Sequence, residues 1–350
     1  MTIFDPIRTL PRWLTVALAA ALLALPVAAA EPVVLKIATV SPDGASWMRQ
    51  MRDGAEAIAR RTEGRVKFRF YPGGIMGNDH SVLRKIRIGQ LHGGALTGGS
   101  LGDLDPSWQL YSLPFLFASL DEVSFVRERL DRVLIDSLAD KGMVSFGLAE
   151  GGFAYLMSSQ PIRRLADLQA RKVWAAAMDP ISRSAAEQAG INAIPLPLPD
   201  VLTGLQTGLV DTVATSPIAA IALQWHTRVR YLTDTPLAYF FATLVVDRRV
   251  FERIAAADQA IVREVMGETF RRIDAENRRD NVSALAALAD EHIEFVQLDR
   301  DSLARLRDIA ASLRAEMERS GMFDRALVAA LHAHLTAFRQ GDALRVSASR

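Results

Sequence analysis

The side chains best suited to acid–base or metal chemistry in this sequence are six histidines, and they form no recognisable site. They are His80, His92, His226, His292, His332 and His334. His332 and His334 are two positions apart on a predicted helix, a spacing that points their side chains in different directions. The chain contains no cysteine, which excludes disulfides, thiolate metal sites and cysteine nucleophiles. We therefore predict no bound metal and no cofactor.

The glycine-rich segment Gly98-Gly99-Ser100-Leu101-Gly102 is the other candidate for chemistry. It follows a predicted strand but lacks the G-x-G-x-x-G spacing of dinucleotide-binding loops. The phosphate-binding pattern G-x-x-x-x-G-K-[ST] does not occur in the sequence. We predict that the chain is not an enzyme, although carboxylate or serine chemistry stays open.

Composition and charge narrow the class of protein. The chain has 350 residues, 50% of them hydrophobic, and a net charge of +1. This length is sufficient for one large domain or for two lobes with separate cores. The near-neutral balance argues against nucleic acid or an anionic membrane as the main partner.

The N-terminus has the pattern of a secretory signal peptide. Arg8 and Arg12 precede the apolar run Trp13–Leu25, and Val27–Ala30 offers an A-x-A cleavage site before Glu31. A membrane anchor is the alternative, but the apolar run is short for a full span. A bacterial export signal without a lipid-bearing cysteine predicts a soluble periplasmic protein with a mature chain from Glu31 onward.

Strands and helices alternate through the first part of the mature chain. Strands are predicted at Val33–Val40, Arg65–Tyr71 and Gly93–Thr97, with amphipathic helices between them. Asp79 is expected to cap the second of these helices. This order predicts a parallel sheet covered by helices. Ligands of such sheets bind beyond the carboxyl ends of the strands, so the loops Ser41-Pro42-Asp43, Pro72-Gly73-Gly74 and Thr97-Gly98-Gly99 are candidate pocket walls.

A long helix is predicted from Ala256 to Asp290, where apolar turns recur without a proline. At about 1.5 Å per residue this helix would span on the order of 50 Å, which exceeds one lobe. We therefore predict an α/β fold, a two-lobe clamshell with mixed or parallel sheets and a long bracing helix. After a signal peptide at 1–30, the predicted lobes are 31–152 plus 242–290 and 153–241 plus 291–350.

The stretch from Gly190 to Pro217 carries the most specific pattern. It predicts a strand at Ile191–Leu198, a short helix that ends at Gly208, and a second buried strand at Leu209–Ala214. Any βαβ crossover could have this pattern. The residue types are more informative than the pattern of elements. From Pro195 to Asp211 they resemble the signature of the solute-binding proteins of tripartite ATP-independent periplasmic (TRAP) transporters, P-x-P-x-x-[DE]-V-x-T-x-L-Q-T-G-x-[VI]-D.

Other segments resemble the same family in the same order. Tyr71-Pro72 with Met76-Gly77 matches its Y-P-x-x-x-[LM]-G segment, and Leu113–Phe117 matches its L-P-F-[LF]-F segment. In the family the second loop lies close to the ligand, which makes Phe115 a candidate contact. Simple core packing is the alternative for this aromatic run.

The chain departs from the family where arginines are expected. Many members clamp a substrate carboxylate with an arginine in a strand reading [KR]-[IV]-R-[VM]. Here the corresponding predicted strand, Lys172–Ala176, has Trp174 at that position. A second common arginine follows a G-[FY] pair, but here Ala154 follows Gly152-Phe153. The acidic or amide group often found after the next strand is replaced by Thr215-Ser216.

Loss of the arginines changes the expected ligand. A bidentate guanidinium is the strong part of carboxylate recognition, so we expect an apolar or amphipathic ligand held mainly by buried area. An organic acid held by another cation, such as Arg183, is the alternative, and Trp174 could also serve only lobe packing. The predicted ligand-binding residues are Trp174, Phe153, Tyr155, Phe115, Gly73, Thr97, Met178, Thr215, Ser216 and Tyr239.

The resemblance implies a receptor that closes its lobes on a small molecule and delivers it to TRAP membrane subunits. The driving ion gradient would belong to the membrane partner. Two alternatives share the clamshell: a binding protein of an ATP-driven importer, and a periplasmic enzyme.

Overall fold

A mixed β-sheet forms the centre of the fold. The computed structural model describes residues 31–176 and 180–348, except for the side chains of 176, 180 and 342–348. Within these residues the nine strands are β1 (Val33–Ala38), β2 (Val66–Tyr71), β3 (Gly93–Thr97), β4 (Met143–Ser158), β5 (Lys172–Ala176), β6 (Asn192–Leu196), β7 (Thr212–Thr215), β8 (Tyr231–Asp247) and β9 (Glu294–Val296). Their order is β2-β1-β3-β8-β4-β7-β5-β6, with β9 paired to β8.

Helices connect and cover these strands. The α-helices are α1 (Ser46–Arg61), α2 (Asp79–Arg87), α3 (Gly98–Leu101), α4 (Leu120–Asp140), α5 (Leu165–Gln169), α6 (Pro180–Gln188), α7 (Val201–Thr207), α8 (Pro217–Ala222), α9 (Arg248–Phe251), α10 (Ala256–Asp290), α11 (Arg300–Arg319) and α12 (Arg325–Ala348). Short 3-10 helices occupy Pro106–Ser112, Leu198–Asp200 and Trp225–Arg228. The predicted α/β fold class is confirmed. No helix in the described part of the chain is long and apolar enough to cross a membrane.

The first part of the sheet has the predicted parallel arrangement. Strand β1 pairs in parallel with β2 and with β3, as the alternation of strands and helices indicated. Strand β8 then runs antiparallel to β3, and β4 antiparallel to β8. The sheet is therefore mixed rather than purely parallel, because a long strand from late in the sequence is inserted beside β3.

The two longest strands, β4 and β8, pair with each other along most of their length. Their register shifts three times, between Ser145 and Leu148, between Glu150 and Gly152, and between Ala154 and Leu156. Such irregularities bend a strand and redirect its side chains. The predicted lobe boundaries, 152/153 and 241/242, fall inside these two strands, and the division into lobes stays a prediction.

The 35-residue helix α10 has the predicted bounds and packs against β4, α1 and α8. Ion pairs hold its first turns to the β2 side of the sheet, from Arg65 to Asp258 at 2.9 Å and from Arg61 to Glu264 at 2.8 Å. Its middle carries Asn277 and Asn281, which bond to strand β4. One helix thus contacts elements at well-separated places in the sequence.

Two local predictions were wrong. Leu209 is 49% exposed rather than buried, because left-handed Gly208 (φ 70°) ends α7 and strand β7 begins only at Thr212. Asp79 is not the cap of α2, since the Asn78 side chain accepts the capping bond from Ser81 N. Asp79 is instead the first residue of the helix, and its carboxylate is used elsewhere. Residues 1–30, which contain the predicted signal peptide, lie outside the described residues.

Candidate ligand-binding site

A cavity of about 930 Å³ lies among residues from most parts of the sheet. Its wall includes Ser41 and Pro42 after β1, and Thr97 and Gly99 at the end of β3. These are strand ends at which the sequence predicted a pocket. Strands β4, β5, β7 and β8 and helices α6, α8, α10 and α11 supply other parts of the wall.

The wall is mainly apolar and carries several aromatic rings. The aromatic residues are Trp47, Phe115, Trp174, Phe240, Phe241 and Phe270. Among the described residues the wall includes no lysine and no arginine. Trp174 and Ala154, the positions where the sequence resemblance predicts that arginines are replaced, both line the cavity. Arg183 is exposed and is not part of the wall.

Trp174 is fixed by two contacts. Its indole Nε1 donates to the carbonyl of Leu196 on the neighbouring strand at 3.0 Å, and its ring meets Trp225 edge-on with centroids 5.1 Å apart. Because the only N–H of the ring is already used, Trp174 can offer a ligand apolar surface but no hydrogen bond.

Phe115 lies on a constrained loop. Its φ of 51° is in the left-handed region, which bulky residues rarely adopt. The loop is held because Phe115 N donates to Leu237 O at 2.7 Å and Arg314 donates to the carbonyl of Pro114. Strain of this kind persists only when the surroundings over-determine it, and it is concentrated at functional sites.

Thr97, Thr215 and Ser216 also line the cavity, together with Trp174 and Phe115. Three other predicted residues, Phe153, Tyr155 and Tyr239, do not line it. Alternation along β4 explains the first two, since Ala154 and Leu156 line the cavity instead. Alternation does not explain Tyr239, because Phe240 and Phe241 both line the wall, and Tyr239 is instead buried against Phe117 and Phe153. Phe153 packs edge-on against Tyr239 behind the wall, with centroids 5.9 Å apart.

Gly73 is also absent from the wall. It follows β2, which is the outermost strand at that edge of the sheet, so its loop lies away from the centre. Its N–H donates to Ser41 O at 2.7 Å, which makes the loop a support for a wall residue. Met178 lies outside the described residues.

Asp79 brings a buried carboxylate to the cavity wall. Its Oδ2 accepts bonds from Thr97 N at 3.0 Å, Thr97 Oγ1 at 2.9 Å and Ser100 Oγ at 3.0 Å. No lysine or arginine in the described chain pairs with it. Burial raises the pKa of the Asp79 carboxyl, and the bonds from Thr97 and Ser100 oppose this shift only in part.

Gly98–Gly102 also fits the pattern G-x-S-x-G that serine hydrolases use, with Ser100 at the position of the nucleophile. Its hydroxyl bonds to Asp79 Oδ2 at 3.0 Å and to Thr97 O at 2.8 Å. His80 pairs with Asp103 and has no bond to Ser100 in the described structure. Ser100 therefore lacks the base that would activate a nucleophile.

Strand β4 and helix α10 supply a second polar region of the wall. Glu150, whose side chain is fully buried, pairs with Arg278, and Asn277 Nδ2 donates to Glu150 O at 2.8 Å. Asp280, one turn further along α10, also lines the cavity. Sequence reasoning missed these residues, although Asn277, Asp280, Ala284 and Ala287 recur at helical spacing on one face of α10.

Behind this wall, buried Arg127 of α4 joins several elements. It donates to Asp131 at 3.0 Å, to Asp274 of α10 at 2.7 Å and to Tyr239 Oη of β8 at 2.9 Å. Asp274 in turn accepts a bond from Glu150 N at 2.7 Å. Burial by itself lowers the pKa of Arg127, but Tyr239, Asp131 and Asp274 outweigh it and leave the pKa raised.

Comparison with known proteins assigns the chain to a protein family. The profile of the family described as "Bacterial extracellular solute-binding protein, family 7" (DctP) matches residues 37–320. The chain belongs to this family. The predicted resemblance to TRAP solute-binding proteins is thereby confirmed.

Individual relatives of this family are distant in sequence. The 2,3-diketo-L-gulonate-binding periplasmic protein YiaO of Escherichia coli strain K12 is 25% identical over 258 residues, which cover 71% of this chain and 76% of YiaO. An uncharacterized protein of Salmonella typhimurium, YiiZ, is 22% identical over 249 residues, covering 70% of this chain and 76% of YiiZ.

Solved structures share the fold over nearly their whole length. The sugar acid binding protein DctPAm from Advenella mimigardefordensis, in complex with galactonate, has a TM-score of 0.80 at 18% identity and covers 88% of this chain and 99% of its own. A TRAP periplasmic solute binding protein from Desulfovibrio salexigens, with bound orotic acid, has a TM-score of 0.78 at 18% identity and covers 87% and 99%. At these identities the likeness concerns the fold alone.

Proposed function

We propose that this chain is an exported, soluble periplasmic receptor of a TRAP transporter that binds an apolar or amphipathic small molecule without an arginine clamp. After removal of the signal peptide, two lobes would close on the ligand and present it to the membrane subunits. The receptor would bind its ligand without converting it.

The observation that carries this proposal is the composition of the cavity wall. The two positions where the family places arginines hold Trp174 and Ala154. The described wall contains no lysine or arginine at any position. Binding would then depend on buried area. A ligand that buries roughly 300 Å² of apolar surface would gain roughly 7 kcal/mol before the costs of association.

A second candidate function is the binding of an organic acid. It is favoured by the ligands named for YiaO and DctPAm, which are sugar acids. A carboxylate would need a cation to reach it, and Arg183, the cation suggested by sequence, is exposed and outside the wall. The apolar ligand is therefore the better-supported candidate.

Native mass spectrometry of the mature protein purified from a periplasmic extract tests both candidates. The bound species is released by denaturation and identified. An aromatic, lipid-like or amphipathic molecule is the expected result. A released sugar acid or dicarboxylate would contradict the apolar ligand and support the second candidate.

The Trp174→Ala variant tests the assigned wall. Covering the indole with roughly 50–80 Å² of ligand is worth roughly 1.5–2 kcal/mol, so we expect affinity for the released compound to fall at least tenfold. Phe295→Ala removes an aromatic residue that is 41% exposed and outside the wall, and should leave affinity unchanged. Equal affinities of the two variants would show that Trp174 is packing only.

A further inference from the structure

Unpartnered hydrogen-bond acceptors surround the cavity. In the described structure four buried side-chain oxygens have no partner: Asp79 Oδ1, Gln109 Oε1, Glu150 Oε1 and Asn277 Oδ1. All four residues line the cavity. Buried polar atoms in native proteins are nearly always paired with protein or water, so this coincidence points to a partner that enters the cavity.

The orientation of the two amides is fixed by their other bonds. Gln109 Nε2 donates to Gly99 O at 3.0 Å, and Asn277 Nδ2 donates to Glu150 O at 2.8 Å. Rotating either amide would place its oxygen against a carbonyl oxygen. The unpartnered amide oxygens of Gln109 and Asn277 are therefore acceptors, and the partner they require must be a donor.

The ionisable side chains of the described wall are mostly acidic: Asp79, Glu150 and Asp280, with His80 as the one basic group. Arg278 neutralises Glu150, but Asp79 and Asp280 have no ion-pair partner among the described residues. Asp79 is only 7% exposed, so burial disfavours its charged form, and a ligand cation beside it would favour that form. A ligand carboxylate here would meet like charges, and His80 is already paired with Asp103.

We infer that the polar part of the ligand is a protonated amine attached to an apolar body. An ammonium group has donors and no acceptor, which complements the oxygens of Asp79, Gln109 and Asn277 and the charge of Asp280. Aromatic rings such as Phe240 and Phe241 add surfaces on which cations bind favourably. This inference rests on the proposed function, because it names the ligand class of the same cavity.

Three probes with one apolar body test the inference by calorimetric titration of the mature protein, freed of bound ligand by refolding. The probes are phenylbutylamine, phenylbutanol and phenylbutyrate. We expect the amine to bind at least tenfold more tightly than the alcohol and the carboxylate. Equal affinities, or tighter binding of the carboxylate, would overturn the inference while leaving an amphipathic-ligand receptor in place.

Substitution of the wall carboxylates tests the mechanism. Asp79→Asn and Asp280→Asn should each reduce the preference for the amine at least threefold. Asp136→Asn makes the same change of net charge on α4, outside the wall, and should leave the preference unaltered. Asp280 is only half-buried, so its variant provides the test even if Asp79→Asn fails to fold.

Two results would separate the inference from the proposal beneath it. An amine preference that survives both wall substitutions overturns the inference. Absence of binding of all three probes also overturns it, and together with a sugar acid released in native mass spectrometry it would contradict the proposed apolar ligand as well.

Discussion

Replacing Arg127 by methionine should destabilise this protein far more than the same change on an exposed part of the same helix. The Arg127 side chain is 7% exposed and bonds to Asp131, Asp274 and Tyr239, so it links α4 to α10 and β8. Methionine keeps much of the stem volume but leaves two carboxylates without their cation.

The magnitude follows from the exposure of the groups left behind. Removing one partner of a buried ion pair costs about 3–5 kcal/mol. Asp131 and Asp274 are 22% and 31% exposed, so water can partly solvate them after the change. We therefore expect a loss near the lower limit, about 3 kcal/mol of unfolding free energy.

Arg132→Met is the matched control. Arg132 pairs with Asp136 four residues later, just as Arg127 pairs with Asp131, but the two side chains are 83% and 58% exposed. Such surface pairs contribute about 0.3–0.5 kcal/mol. Urea denaturation followed by circular dichroism measures both variants. Losses of equal size, with unchanged m-values, would refute the reasoning that burial makes Arg127 important.

Two further predictions concern the cavity wall and the chain turn that follows α7. Because burial raises the pKa of Asp79 above its usual 3.8, the folded state holds this proton more tightly than the unfolded state, and stability should fall as pH rises through that raised pKa. Asp79→Asn removes this dependence, so its stability relative to wild type should increase from pH 4 to pH 7 in urea titrations, and a constant difference would contradict the shift. Gly208→Ala should lower the free energy of unfolding by about 1 kcal/mol. The backbone φ is 70° and an added methyl group meets no neighbour within 4 Å, so the strain of the left-handed backbone is the only source of this loss. Gly341→Ala, which also meets no neighbour but lacks a positive φ, should cost nothing, and equal losses would count against this explanation.

The fold was largely predictable because its signals are local. Strands β3 and β5 and helix α10 have the predicted bounds, since turn residues and apolar periodicity mark their ends. The predicted strand Leu209–Ala214 failed at its start, where a left-handed glycine displaces Leu209 into a turn. Apolar character alone could not show that.

The candidate site was predictable only in part. The loops at strand ends predicted Thr97 as a pocket residue, and the family motifs predicted Trp174 and Phe115. All three residues line the cavity. Phe153 and Tyr239 were expected there for their aromatic rings, but they pack against each other behind the wall, where Tyr239 bonds to buried Arg127. Whether the wall residues contact a ligand stays a prediction.

The sequence by itself determined the family, and it predicts an export signal and the replacement of the expected arginines, because each is carried by residue types at fixed spacing. Tertiary structure decided which charges meet in the cavity. Asp79 and Gln109 are 30 positions apart, and Glu150 and Asn277 are more than 120 apart, yet their unpartnered oxygens belong to one wall. Such pairing depends on how strands and helices pack over long separations, which no local pattern of residues records.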